Sequence, residues 1–205
     1  MSTKTFEFTM DFLTYGNLAI LIFGFFFSLR FYVKGLLYFG ILISTEILSL
    51  IYIKDNLFLF SISYYIHFFC IAFYVMVEMF RIPKHYFMIA AMLMATPMLI
   101  GLATLQSMEG YHSYDRQIYN LSVILLAMIP LMRYIQGKLK IKAHEQTVLV
   151  VILCYFTLDL ILALSMNYLI NQPLKMVVWI WLFRALCLAA FYFSLAQFIW
   201  KKQIQ

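Results

Sequence analysis

The sequence predicts an all-α membrane protein with seven transmembrane helices in one polytopic domain over residues 1–205. Of these residues, 65% are apolar, 19% aromatic and only 12% charged, and a soluble domain of this length could not cover its surface with so few charged side chains. Apolar runs of about 20 residues, the length that crosses a bilayer as a helix, recur along the whole chain. No strand-like alternation extends over barrel-length segments, which disfavours a membrane β-barrel.

The apolar runs define the predicted spans, which lie at residues 12–29, 35–53, 57–80, 86–105, 118–135, 147–170 and 176–200. The linkers between them are too short to form a soluble domain. Any chemistry is therefore expected within the membrane or on the loops.

The distribution of positive charge predicts the orientation. Ten cations follow odd-numbered spans and would share one side of the membrane: Arg30, Lys34, Arg81, Lys84, Arg133, Lys138, Lys140, Lys142, Lys201 and Lys202. The opposite side would hold Lys4, Lys54, Arg116 and Lys175. Cytoplasmic loops carry the excess of lysine and arginine. The N-terminus is therefore expected outside the cell and the C-terminus in the cytoplasm, and the membrane is expected to be a bacterial cytoplasmic membrane. The net charge of +6 is spread over four loops, so no nucleic-acid partner is expected.

The order of polar residues suggests a duplication, with repeats at residues 12–80 and 118–200 and a linker helix at 86–105. Each half carries an asparagine, an arginine, an acid and one further polar residue, in the order Asn17, Arg30, Glu46, His67 and Asn120, Arg133, Asp159, Arg184. Apolar strings match easily by chance, but the shared order favours a true repeat. Parallel repeats of this kind occur in transporters that hold substrate between the two halves.

Four ionisable side chains inside the spans are the candidate substrate or proton site: Glu46, His67, Asp159 and Arg184. Each costs several kcal/mol at the bilayer centre, and the expected depths place all four in one central layer. Arg184 cannot lose its charge and needs an anion. Asp159 is the expected partner and Glu46 the alternate, while Glu46 is also expected to pair with His67. The secondary candidates are Asn17, Asn120, Tyr74 and Glu78.

No catalytic, metal-binding or cofactor-binding motif is present, so no catalytic residue, metal or cofactor is predicted and an enzyme is the less expected class. The leading hypothesis is a transporter or channel-like protein for a small polar or anionic solute, linked to an ion or proton. The alternative is a sensor or accessory subunit that acts through a protein partner or as a homo-oligomer. A third hypothesis is an intramembrane enzyme on a lipid or isoprenoid, with Glu46 and His67 as acid and base.

Two families share parts of this pattern. Seven spans in a three-plus-one-plus-three arrangement are similar to small sugar or vitamin carriers, although the proline-glutamine pairs of one such group are absent. Microbial rhodopsins share the span count, but the seventh span has no central lysine for a retinal Schiff base and carries Arg184 instead.

Overall fold

The fold is a bundle of α-helices. The computed structural model describes residues 3–31, 33–51, 57–73, 80–83, 85–86, 88–89, 91–92, 114–165 and 174–203. Its helices are α1 (Thr3–Phe31), α2 (Val33–Ile51), α3 (Leu57–Ile71), α4 (Tyr114–Ile135), α5 (Ala143–Leu164) and α6 (Leu174–Gln203). These ranges contain no β-strand, and the prediction of an all-helical chain is confirmed for them.

Four of these helices are long and apolar enough to cross a membrane, through the segments Asp11–Leu29, Arg116–Ile135, Ala143–Leu164 and Val177–Phe198 of α1, α4, α5 and α6. These segments overlap predicted spans one, five, six and seven, and they indicate an integral membrane protein. Helices α2 and α3 occupy the positions of spans two and three, but the apolar part of α2, Leu36–Leu48, is shorter than a full span. Most of span four lies outside the described residues. The described helices therefore provide four candidate spans and leave the count of seven a prediction.

The six helices form a closed ring. Each helix packs against the next one along the chain, and α1 packs against α6 to close the ring. Large side chains that are fully buried fill its interior, among them Phe39, Phe68, Phe156 and Phe191. Many large apolar side chains on the outside are exposed, among them Phe26, Leu37 and Phe193. A membrane protein meets lipid on that surface, so outward-facing apolar side chains are expected.

Helices α1 and α2 come close together because of a glycine. A Cβ atom added to Gly24 would lie 2.6 Å from the ring of Phe39, which is fully buried. The reciprocal contact is looser, since a Cβ atom at Gly40 would lie 3.4 Å from the ring of Phe25. Small residues let membrane helices approach at backbone distance, so Gly24 determines how closely this pair packs.

The ends of α4 and α5 are defined by backbone hydrogen bonds. After α4, the Lys138 amide donates to the Arg133 carbonyl at 2.9 Å and the Gly137 amide donates to the Tyr134 carbonyl at 2.9 Å. Gly137 has φ +69°, and together these features are a Schellman termination. Helix α5 ends where the Ser165 amide donates to the Ile161 carbonyl at 2.9 Å. These ends define how far along each helix its polar residues lie.

Candidate functional site

The candidate site is centred on the carboxylate of Asp159, whose side chain is 3% exposed on α5. Arg116 on α4 donates to both oxygens, from Nε to Oδ2 at 2.8 Å and from Nη2 to Oδ1. Asn120, one turn further along α4, donates from Nδ2 to Oδ2 at 2.8 Å. Arg184 on α6 donates from Nε to Oδ1 at 2.5 Å. A carboxylate has about four acceptor positions, so these four donors saturate it.

Trp181 on α6 lies close to both arginines. The guanidinium carbon of Arg116 lies 5.5 Å from the centre of the Trp181 ring, and that of Arg184 lies 5.3 Å from it. Residues three apart on a helix share a face, which explains why Trp181 and Arg184 meet the same cluster. Both distances fall within the range of cation–π attraction, which partly replaces the hydration that the buried cations lose. We call Arg116, Asn120, Asp159, Trp181 and Arg184 the arginine cluster.

The arginine cluster contains more positive than negative charge. Two guanidinium groups face one carboxylate, which leaves one positive charge in excess. Across the part of the chain that the structure describes, Nη1 of Arg116 and both Nη groups of Arg184 donate to no acceptor. The Arg184 side chain is 23% exposed, whereas that of Arg116 is only 4% exposed. The cluster can therefore receive an anion at Arg184.

Two members of the arginine cluster, Asp159 and Arg116, lie near helix ends. Asp159 is five residues before the last residue of α5, or about 7.5 Å along its axis. Arg116 is only two residues after the start of α4. The sequence placed Asp159 about 18 Å from the start of a span at residues 147–170, whereas α5 runs from Ala143 to Leu164. Asp159 and Arg116 are therefore close to the ends of α5 and α4 that meet at the site.

Glu46 and His67 have other partners. The hydroxyl of Tyr192 on α6 donates to Oε1 of Glu46 at 2.7 Å, and Nε2 of His67 lies 2.5 Å from Oγ1 of Thr45. The expected contact of Asp159 with Arg184 is present, whereas the described contacts of Glu46 and His67 are to these neighbours.

The two acids also meet α6 at different levels. Asp159 contacts Arg184 and Glu46 contacts Tyr192, and these two residues of α6 are eight positions apart, or about 12 Å along the axis. The single central layer that the sequence suggested is therefore divided into two levels.

Of the secondary candidates, one belongs to the arginine cluster, one lies elsewhere and two fall outside the described residues. Asn120 belongs to the arginine cluster. Asn17 is buried on α1, and its Oδ1 has no hydrogen-bond partner among the described residues. Tyr74 and Glu78 lie outside the described residues.

Sequence reasoning missed Arg116, which it counted only among the cations that set the orientation. The available signal was the four-residue spacing to Asn120, which places both side chains on one face of a helix. Trp181 was missed as a contact of Arg184 although the two are three residues apart.

Within the described ranges, no group of three or more histidine, cysteine, aspartate or glutamate side chains could hold a metal ion. Cys70, Cys154 and Cys187 are free thiols. No family model, curated protein or solved structure matches the chain. Function is therefore inferred from the chemistry of the arginine cluster.

Proposed function

We propose that the chain is a membrane transporter for a small anionic solute, which binds at the arginine cluster. The observation that carries this proposal is that two guanidinium groups share the single carboxylate of Asp159 while both Nη groups of Arg184 remain without an acceptor among the described residues. Arg184 is also the partly exposed member of the pair. It is therefore the group that a solute would reach.

An anion is the expected solute because the excess charge is poorly solvated. Burying an unpaired cation is costly in a low-dielectric environment. Asp159 already accepts four hydrogen bonds and cannot neutralise a second guanidinium completely. A bound anion would supply the missing charge and accept hydrogen bonds from the Nη groups of Arg184.

The helix arrangement is consistent with the proposed duplication, and this duplication in turn favours a transporter. In the ring, α1–α3 meets α4–α6 at two places, where α3 packs on α4 and where α6 packs on α1. A two-fold axis along the membrane normal would produce this order. In transporters built from such repeats, substrate is held between the halves.

The two halves differ in charge, which suggests a division of roles. The second half contributes the fixed cations Arg116 and Arg184. The first half contributes Glu46 and His67, whose charge can change with protonation. In this proposal the second half binds the anion and the first half carries a coupled proton.

Solute movement across a reconstituted membrane tests the transport proposal. Purified full chain in liposomes that contain a pH-sensitive dye is exposed to concentration jumps of small organic and inorganic anions. Both the current on a solid-supported membrane and the internal pH are recorded, because a monoanion that crosses with one proton moves no net charge. The wild type is expected to give a current or an internal pH change beyond that of protein-free liposomes with at least one anion, and Arg184→Gln is expected to abolish it. Lys140→Gln is the matched control, because it removes a positive charge from an exposed loop. If anions bind but none gives either signal, the transport proposal fails and the sensor or accessory-subunit hypothesis replaces it.

A further inference from the structure

We infer that the anion taken by the arginine cluster is a monocarboxylate with a flat apolar body. Its carboxylate would bind the Nη groups of Arg184, and its body would lie on the ring of Trp181. This inference rests on the anion-binding function proposed above and names the class of solute for the same site.

The charge of the cluster favours a single negative charge. Arg116 and Arg184 together carry two positive charges and Asp159 carries one negative charge, so one bound monoanion makes the site neutral. A dianion such as a phosphate monoester would leave one negative charge in excess next to a carboxylate that is 3% exposed. Uncompensated charge in such an environment is unfavourable in either sign.

The geometry of Arg184 favours a planar oxyanion. Its Nε is already bound to Asp159 at 2.5 Å, so the two Nη groups at the end of the guanidinium remain for a ligand. These groups form a planar fork whose two parallel N–H bonds match the two oxygens of a carboxylate. A spherical anion such as chloride would not use that fork to the same degree.

Trp181 favours an apolar and flat body next to the carboxylate. Trp181 is partly exposed, and the centre of its ring lies 5.3 Å from the guanidinium carbon of Arg184. A ligand held at the Nη groups would therefore have an aromatic surface within reach. Flat apolar groups pack well against aromatic rings, in stacked or edge-to-face arrangements. Tyr119, three residues after Arg116 on α4, stacks with Tyr64 of α3 at 5.7 Å between ring centres.

In this inference the ligand enters from the ends of α4 and α5 that lie nearest the cluster. Asp159 lies about 7.5 Å from the end of α5, and the partly exposed arginine is the one whose Nη groups are available. A carboxylate head could therefore exchange its hydration for these donors without crossing the bilayer core.

Ligand binding to the purified full chain in detergent tests this inference, with benzoate, acetate, inorganic phosphate and chloride as probes. The midpoint of thermal unfolding is measured against the concentration of each probe, and the apparent Kd is taken from the shift. Benzoate is expected to bind more tightly than acetate, and acetate more tightly than phosphate or chloride. Arg184→Lys keeps the charge but loses the fork, and it should weaken both carboxylates by about tenfold.

Two tryptophan variants separate the apolar contribution from the charge. Trp181→Leu should weaken benzoate and leave acetate within about twofold of wild type, because only benzoate has a ring to place on the indole. Trp179→Leu is the matched control, since this tryptophan lies two residues away on α6 and is 54% exposed. It should change neither value. Both substitutions replace an aromatic side chain with an apolar one, so the helix is expected to fold.

The outcomes distinguish this inference from the proposed function. If all four probes bind with similar affinity through Arg184, the anion site stands and the monocarboxylate class is wrong. The class is also wrong if Trp181→Leu weakens benzoate and acetate equally. If no probe shifts the unfolding midpoint of the wild type, both the anion site and the solute class are rejected.

Discussion

At the scale of single residues, the stability of the site depends on charge balance around Asp159. The cluster carries one net positive charge when intact, none without Arg184 and two without Asp159. Arg116 donates to both carboxylate oxygens of Asp159 and is almost fully buried. Arg184 donates one hydrogen bond to Asp159 and is partly exposed. Removing Asp159 therefore leaves two cations facing each other, while removing Arg184 leaves a matched pair.

The first prediction compares these substitutions. Asp159→Asn should lower the free energy of unfolding by about 3–5 kcal/mol, because it leaves buried charge without a partner. Arg184→Gln should lower it by less than about 1 kcal/mol, because Arg116 still neutralises Asp159. Adding Arg184→Gln to Asp159→Asn should recover part of the loss. The measurement is reversible unfolding of the protein in mixed micelles, and purely additive effects of the two changes would contradict the pairing.

At the scale of helix pairs, the second prediction concerns the close contact of α1 with α2. Gly24→Ala should lower the midpoint of thermal unfolding by several degrees, because the new methyl group would lie 2.6 Å from the buried ring of Phe39. Gly16→Ala on the same helix is the control, since nothing lies within 4 Å of its added Cβ. Alanine is the better helix former by about 1 kcal/mol, so the control should be neutral or slightly stabilising. Equal effects at both positions would show that α1 and α2 are not in close contact.

The third prediction concerns the end of α4. Gly137 has φ +69°, and this left-handed conformation destabilises a residue with a Cβ atom by about 1–2 kcal/mol. Gly137→Ala should lower the free energy of unfolding by that amount although nothing lies within 4 Å of the added Cβ. Gly137→Asn should recover part of it, because asparagine tolerates left-handed backbone better than alanine. An alanine variant as stable as wild type would exclude the left-handed turn.

At the scale of the whole molecule, the fourth prediction concerns orientation. The excess of cations after the odd-numbered predicted spans predicts that the Lys138–Lys142 loop and the C-terminus both lie in the cytoplasm. Burial of Arg116 in the arginine cluster strengthens the asymmetry, because it removes one of the four cations assigned to the opposite side. Reporter fusions after Lys142 and at Gln205 should both report the cytoplasm, and a fusion after Lys54 should report the outside. A cytoplasmic signal after Lys54 would require a different number of spans between these points.

Much of the helical architecture could be predicted from local sequence. Apolar runs of sufficient length predicted the segments that α1, α4, α5 and α6 use as candidate spans, since each run must hydrogen-bond its own backbone in lipid. The contact of Asp159 with Arg184 could also be predicted, because an arginine inside an apolar span needs a nearby anion. The duplication and the fourth predicted span remain predictions, and the latter falls largely outside the described residues.

The sequence by itself determined that this chain is helical, belongs in a membrane and keeps Asp159 and Arg184 together. These properties follow from the hydrophobicity of each segment and from the cost of a bare charge in lipid. Only the tertiary structure decided that Asp159 also binds Arg116, which is 43 residues away, and that both arginines meet Trp181. The physical reason is that such contacts depend on where each helix ends and how neighbouring helices rotate against each other. The hydrophobicity of a single segment determines neither the helix ends nor the helix rotations. Together these two features produce the excess positive charge on which the proposed anion site depends.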